Sequence, residues 1–152
     1  MTPSDKLREL GLQLPEVVPP VAVYVPAVRT GSLVFTSGQL PMSGGAMAQT
    51  GLVGDAVTAE QAKELARTCA LNALAAIDAL VGLDSVVRVV KVVGFVASAS
   101  GFTGQPGVIN GASELLGEVF GDAGRHARSA VGVAALPLGA PVEVEVVVEV
   151  TA

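Results

Sequence analysis

The segment VEVEVVVEV, residues 142–150, sets the tightest limit on what this chain can fold into. Val142, Val144, Val146, Val148 and Val150 fall on one side of an extended backbone. Glu143, Glu145, Val147 and Glu149 fall on the other. Such a strand is covered on its valine face and open on its glutamate face, so it belongs to a sheet with helices on one side only. Aromatic residues are only 3% of the chain, so the core above those valines has to be built from Val, Leu, Ile and Ala.

Two segments can supply the cover. Thr58 and Gln61 have the spacing of a capping box, in which each side chain bonds the other's backbone N–H. After them Ala62, Leu65, Cys69, Ala73, Ile77 and Leu80 recur every three or four residues, and Gly82 ends the helix. A second helix is expected from about Val108 to Phe120, with Ile109, Ala112, Leu115, Leu116, Val119 and Phe120 on its apolar side. Its glycines each cost roughly 1 kcal/mol relative to Ala, so it depends on packing.

The rest reads as short strands and connections. Ser4 is expected to cap a helix running through Leu10, stopped by Gly11. The prolines of LPEVVPP exclude a helix or central strand. VAVYVPAV and SLVFTSGQLP read as strands joined at RTGS, and PMSGGAMAQTGLVGDAV as a Gly-rich loop. SVVRVVKVVGFVAS is a long β-branched strand. ARSAVGVAAL and the last strand are joined by PLGAP. The order is β-β-α-β-α-β-β in one domain, residues 1–152, with residues 1–20 as an N-terminal extension. In the strand expected beside the last one, Arg128, Ala130, Gly132 and Ala134 share a face whose small side chains admit another backbone. The uncovered sheet face is expected to pack against further copies of the chain.

The formal net charge is -5, which argues against sequence-independent nucleic-acid binding, since that needs a basic field. Cys69, alone of its kind, reads as a small buried hydrophobe. The N-terminus shows no secretory h-region, and VVRVVKVVGFVASA is short and broken by Arg88 and Lys91, so a cytoplasmic protein is expected. GGAMAQTGLVG lacks the lysine of a phosphate loop, and neither SASG nor TSG forms a nucleophile elbow. His126, the one histidine, has no partners at ligand spacing and reads as a polar loop residue.

Three blocks carry a resemblance: VYVPAVRTGSLVFTSGQLP, NGASELLGEVFG and ARSAVGVAALPLGAPVEVEV. In order and spacing they resemble the Rid (YjgF-like) reactive-intermediate deaminases over nearly the whole chain after about Val21. TSGQ alone is weak, whereas the C-terminal block is specific. The resemblance implies an α+β subunit of the ferredoxin-like, chorismate-mutase-like kind, with two helices on one face of a mixed sheet. It also implies a homotrimer with a β-barrel-like centre and clefts between subunits. Members bearing the arginine hydrolyse 2-aminoacrylate-type enamines and imines to 2-keto acids and ammonia without cofactor or metal.

Carried over by position, Arg128 matches the substrate-binding arginine, whose planar fork suits a carboxylate. Glu143, fifteen residues later, matches a glutamate that holds water. Tyr24 matches a tyrosine that donates to the intermediate or closes the cleft. Ser37, Gly38 and Ala130 match substrate-binding positions, and Asn110 reads as a structural tether. The chain departs from the family at Arg125-His126-Ala127, where an aromatic–Pro pair is usual. It departs again at Ala130 in place of Cys, at Ala22-Val23 in place of Gly-Pro, and in a longer loop at ASGFTGQPG; these changes reshape the cleft walls. The alternatives are a non-catalytic protein binding a small carboxylate in the same cleft, an endoribonuclease, which the acidic balance opposes, and a chorismate mutase, which wants more cations than Arg128 alone.

Overall fold

The computed structural model describes residues 1–20 and 22–152. Val21, at the head of the expected first strand, lies outside the described residues. The elements are α1 (Pro3–Glu9), β1 (Ala27–Thr30), β2 (Leu33–Thr36), β3 (Met42–Ser43), β4 (Ala46–Met47), α2 (Ala59–Val81), β5 (Val86–Ala97), α3 (Gln105–Phe120), β6 (Ala127–Val133) and β7 (Val142–Val150). Five strands form one mixed sheet in the order β1-β2-β7-β5-β6, and β3 and β4 make a separate hairpin. All pairs of the large sheet are antiparallel except β5 with β6. The α+β class, the mixed sheet and the core element order agree with the sequence reading.

The alternation of β7 is obeyed. Its five valines are 0–2% exposed and its glutamates are half-buried on the other face. Both long helices cover the valine side. The Thr58–Gln61 capping box opens α2 and Gly82 closes it. Cys69 is fully buried on that helix, and burial pushes its thiol up, with a smaller push from Glu143.

Helix α3 begins three residues earlier than its apolar pattern suggests, with Pro106 in its first turn. Gly111 explains its tolerance for glycine: a Cβ there would overlap the carbonyl oxygen of Lys63 on α2. The helices therefore touch backbone to backbone, and Lys63–Glu114 (3.1 Å) and Arg67–Glu118 (2.9 Å) pair across their outer edge.

Several expectations are corrected. The cap of α1 is Thr2, not Ser4, because Pro3 sits well at the first helical position and Asp5 completes a capping box with Thr2. Residues 22–26 are not strand; β1 starts only after Pro26. The Gly-rich loop contains the β3–β4 hairpin, turning at Gly44–Gly45.

The largest correction concerns β6. It does not neighbour β7; β5 lies between them. The chain leaves β5, crosses through α3 and returns parallel to it, while β7 inserts antiparallel between β5 and β2. Arg128 and Ala130 stand opposite Val92 and Gly94. Val92 is fully buried, and a side chain on Gly94 would collide with Ile109 of α3. The row of Arg128, Ala130 and Gly132 therefore faces α3 of its own chain, not the open face.

That open face carries Val28, Phe35 and Val131, each 43–51% exposed, among Glu143, Glu145 and Lys91. Among the described residues no helix is long and apolar enough to cross a membrane.

Candidate functional site

Glu143 owes its setting to a break in the β2–β7 ladder. The two strands pair as far as Phe35–Val147. Beyond that point the hydroxyl of Thr36 accepts from Val146 N–H (3.0 Å), and the chain rejoins β7 only at Gln39–Val144. The intervening Ser37–Gly38 step passes over the glutamate. A Cβ on Gly38 would overlap Glu143 Oε1 and stand 2.8 Å from its Cδ. Only glycine lets backbone and carboxylate lie so close.

Ser37 does not reach the glutamate. Its hydroxyl donates to Val25 O (2.6 Å) and its N–H to Pro26 O (2.8 Å), which fastens the segment bearing Tyr24.

Glu143, Gly38 and Tyr24 line one cleft of about 660 Å3. The strap of residues 15–20 also lines it, as does the exposed Leu138. Burial pushes the Glu143 carboxyl above the usual carboxylate range, and the like charge of Glu145 two residues on adds to the shift.

Asn72, on α2, lines the same cleft and is 1% exposed. Its Nδ2 donates to Leu40 O and Met42 O, both at 3.1 Å, and its Oδ1 has no partner among the described residues. It thus holds the cleft's floor segment onto the helix. It is not among the residues that the sequence pattern singles out.

Arg128 lies elsewhere. From Glu143 it is two strand spacings and three residues of rise away, about 14 Å between Cα atoms, and on the opposite sheet face. Its guanidinium is held by α3: Nη1 donates to Asn110 Oδ1 (2.8 Å) and Ser113 Oγ (3.2 Å), and Nη2 to Pro106 O (3.3 Å). Nε–H and the second Nη2 hydrogen have no bond to a described residue. Together they form the side-on edge of the guanidinium, which takes a carboxylate with two parallel bonds.

The tether continues beyond Ser113. Ser113 Oγ is 2.9 Å from His126 Nε2, and His126 Nδ1 is 2.6 Å from Gly124 O. A carbonyl can only accept, so Nδ1 carries a proton and donates to Gly124 O, which fixes the ring with Nε2 toward the serine. His126, set aside in the sequence as a loop residue, is therefore the anchor of this chain. The readable signal was the pair Asn110 and Ser113, polar and three apart on one face of an apolar helix. Ala130 is half-buried against the core two residues beyond the arginine.

One protomer thus presents two separated halves: a carboxyl in a cleft, and a braced guanidinium on the other side of the sheet. Among the described residues no three His, Cys, Asp or Glu side chains gather at metal-ligand spacing.

Comparison with known proteins places this geometry. The profile of the family described as Endoribonuclease L-PSP matches residues 15–150. Protein TCP17 of Trypanosoma cruzi is 46% identical over 148 residues, covering 96% of this chain and 92% of the relative. Atu1372 of Agrobacterium tumefaciens, a crystal structure of unknown function, is also 46% identical, with a TM-score of 0.91 over 98% of this chain and 92% of that one. TdcF of E. coli, solved with bound serine, is 25% identical, with a TM-score of 0.63 over 90% and 94% of the two chains. The chain belongs to the endoribonuclease L-PSP family, within the YjgF/Rid superfamily that its C-terminal block resembles.

Proposed function

We propose that this protein is a Rid-type deaminase that hydrolyses 2-imino acids and their enamine tautomers in a cleft built by two copies of the chain. The observation that carries the reading is the division of labour within one protomer. The Glu143 carboxyl and the Arg128 fork are each prepared, yet they lie about 14 Å apart on opposite faces. Only a second copy can bring an arginine to the glutamate's cleft. The open face, with Val28, Phe35 and Val131 exposed, supplies apolar surface for that assembly, as a homotrimer in the reading favoured here.

In this mechanism the side-on edge of Arg128 takes the substrate carboxylate. Backbone groups near Gly38 and Ala130 hold the reacting centre. Tyr24, on the cleft wall, closes the site. Glu143 orients a water and removes its proton as the oxygen adds to the imine carbon. The raised carboxyl suits that task, because a base of higher pKa holds the proton more readily. The protonated Glu143 then returns the proton to nitrogen to give the carbinolamine. The same carboxylate next carries the carbinol hydroxyl proton to the nitrogen as the carbon–nitrogen bond breaks, and the products are a 2-keto acid and ammonia. Imines hydrolyse unaided, so orientation is enough to supply much of the acceleration. Neither metal nor cofactor takes part, and nucleic acid is no partner in this reading. The serine held by TdcF is itself a small carboxylate with an adjacent nitrogen, which supports this substrate class and equally a protein that only binds such molecules.

The test generates an imino acid with an amino-acid oxidase and follows keto-acid release. Wild type accelerates release; Arg128→Ala and Glu143→Gln each lower it at least about a hundredfold. Mixing the two inactive variants through reassembly restores about a quarter of the sites if each site draws on two neighbouring copies of a ring. Equal rates for wild type and Arg128→Ala overturn the reading, whereas tight keto-acid binding without turnover establishes the binding protein instead.

A further inference from the structure

The geometry points to a substrate with a large apolar side chain, of leucine size or greater, rather than the imine of a three- or four-carbon amino acid. This deepens the deaminase reading and rests on it.

The first observation is volume. At about 30 Å3 for each water-sized group, a three-carbon imino acid of six non-hydrogen atoms fills at most about 180 Å3. The cleft beside Glu143 holds about 660 Å3. Glu143 and Gly38 line this cleft of the single protomer, and its volume is more than three times that of the small imino acid, so space for a larger side chain remains beside the arginine that the second copy brings.

The second observation is what borders that space. Pro15, Val17 and Val18 come from the strap and Leu40 and Met42 from the floor, and Leu138 joins them. Of these, only the Met42 thioether accepts a hydrogen bond, and weakly; Glu16 of the strap and Gln39 of the floor are the polar exceptions on these walls. A site built for a small polar substrate gains nothing from such walls, whereas each extra methylene of a larger substrate gains binding by leaving water.

The third observation is independent of the cavity. Leu138 is 63% exposed and, among the described residues, is the one non-glycine residue with positive φ, at 58°. The left-handed conformation crowds a leucine Cβ against the following carbonyl. The loop is nevertheless pinned there, by Gly51 N–H on Gly139 O (2.9 Å) and Ala140 N–H on Pro137 O (3.1 Å). A strained backbone that presents a bare leucine to a cleft has a functional explanation if a ligand covers that side chain. The strap lines the same cleft, so the substrate side chain is expected against Leu138 and Val17–Val18.

The experiment compares imines made by an amino-acid oxidase from alanine, leucine and phenylalanine on the full chain. Leucine- and phenylalanine-derived imines are expected to show kcat/KM about tenfold or more above the alanine-derived one, the scale on which apolar pockets discriminate added methylenes. Leu138→Gly and Val17→Ser are each expected to lower that ratio several-fold. A ratio of one or below in wild type, or a ratio untouched by both variants, overturns the inference. No acceleration with any imine would overturn the deaminase reading instead. The pocket is then judged by calorimetry with pyruvate, 4-methyl-2-oxopentanoate and phenylpyruvate: tighter binding of the two larger acids supports it, and equal binding overturns it.

Discussion

Ser113 joins Arg128 to His126: its oxygen accepts from the guanidinium at 3.2 Å and is hydrogen-bonded to Nε2 of the imidazole at 2.9 Å. The serine can serve both neighbours at once because a hydroxyl has one proton to give and lone pairs to spare. The ring in turn is oriented by Gly124 O. Neither Ser113 nor His126 touches the proposed substrate, so both act through the arginine. Ser113→Ala and His126→Ala are expected to raise KM about fivefold, the worth of roughly one hydrogen bond, with kcat nearly unchanged. Ser113→Ala placed on Arg128→Ala should add nothing further, since the two residues share one network. Steady-state kinetics on the four proteins checks both points.

Arg128→Lys is expected to behave like Arg128→Ala in kcat/KM, with a loss of about a hundredfold or more. A lysine retains the charge but not the planar fork, and it cannot satisfy Asn110, Ser113 and Pro106 O while offering two parallel donors to a carboxylate. A lysine variant within about threefold of wild type would show that charge alone is read at this position.

Glu143 gives a pH signature. Burial first, and Glu145 second, raise its carboxyl above the usual range. In the proposed reaction the base form is the active one, so activity is expected to be lost as pH falls through the raised value, earlier on the way down than for an ordinary glutamate. Removing the like charge with Glu145→Gln is expected to move that acid limb to lower pH. Stability has the opposite sense. Because the folded state holds this proton more tightly than the unfolded chain, stability contributed by the group is present at low pH and lost as pH rises from the ordinary to the raised value. For the single chain Glu143→Gln should therefore raise Tm near neutrality by at most about 2 °C and leave it unchanged below pH 4. Profiles of kcat against pH and melting curves at the two pH values are the measurements.

The local elements of this fold were written plainly in the sequence, and the long-range partners were not. The Val/Glu alternation of β7 and the Thr58–Gln61 box depend on neighbours a few residues apart, and the structure keeps both. The position of β6 depends on which strand takes the place beside β5, a competition no local pattern records. Reading β6 as the neighbour of β7 put Arg128 on the wrong face of the sheet. The role of His126 was hidden for the same reason, because its partner lies thirteen residues back on α3 and meets it only after the turn at residues 121–124. Gly38 and Glu143 were found by resemblance, while the cause of their closeness, a three-residue departure of β2 from β7, is visible only in the register.

Gly38→Ala separates function from folding. The added Cβ meets the far end of a flexible side chain, the Glu143 carboxylate, and no backbone atom. The glutamate can swing away, so Tm should fall by less than about 3 °C, the shift of roughly 1 kcal/mol in a domain of this size. The displaced carboxylate no longer aligns a water, and kcat is expected to drop at least about tenfold, in keeping with the cost of misplacing a reacting group. Unchanged kcat with unchanged Tm would mean that the position of Glu143 over Gly38 is not used in the reaction.

Gly111→Ala is the counterpart that breaks folding. Here the added Cβ meets the carbonyl oxygen of Lys63, an atom of the α2 backbone that cannot rotate aside. The helices must part, which loosens Ile109, Ala112, Leu115 and Leu116, all fully buried along α3. Helix propensity favours alanine by about 1 kcal/mol, yet overpacking between fixed backbones costs about 1–3 kcal/mol or more. The net effect expected is a Tm lower by roughly 2–8 °C. The Lys63–Glu114 and Arg67–Glu118 pairs span the same contact, but exposed pairs of this kind are worth about 0–1 kcal/mol each and cannot hold the helices together. A melting curve decides it: a Gly111→Ala protein as stable as wild type would show that α2 and α3 do not meet backbone to backbone in solution.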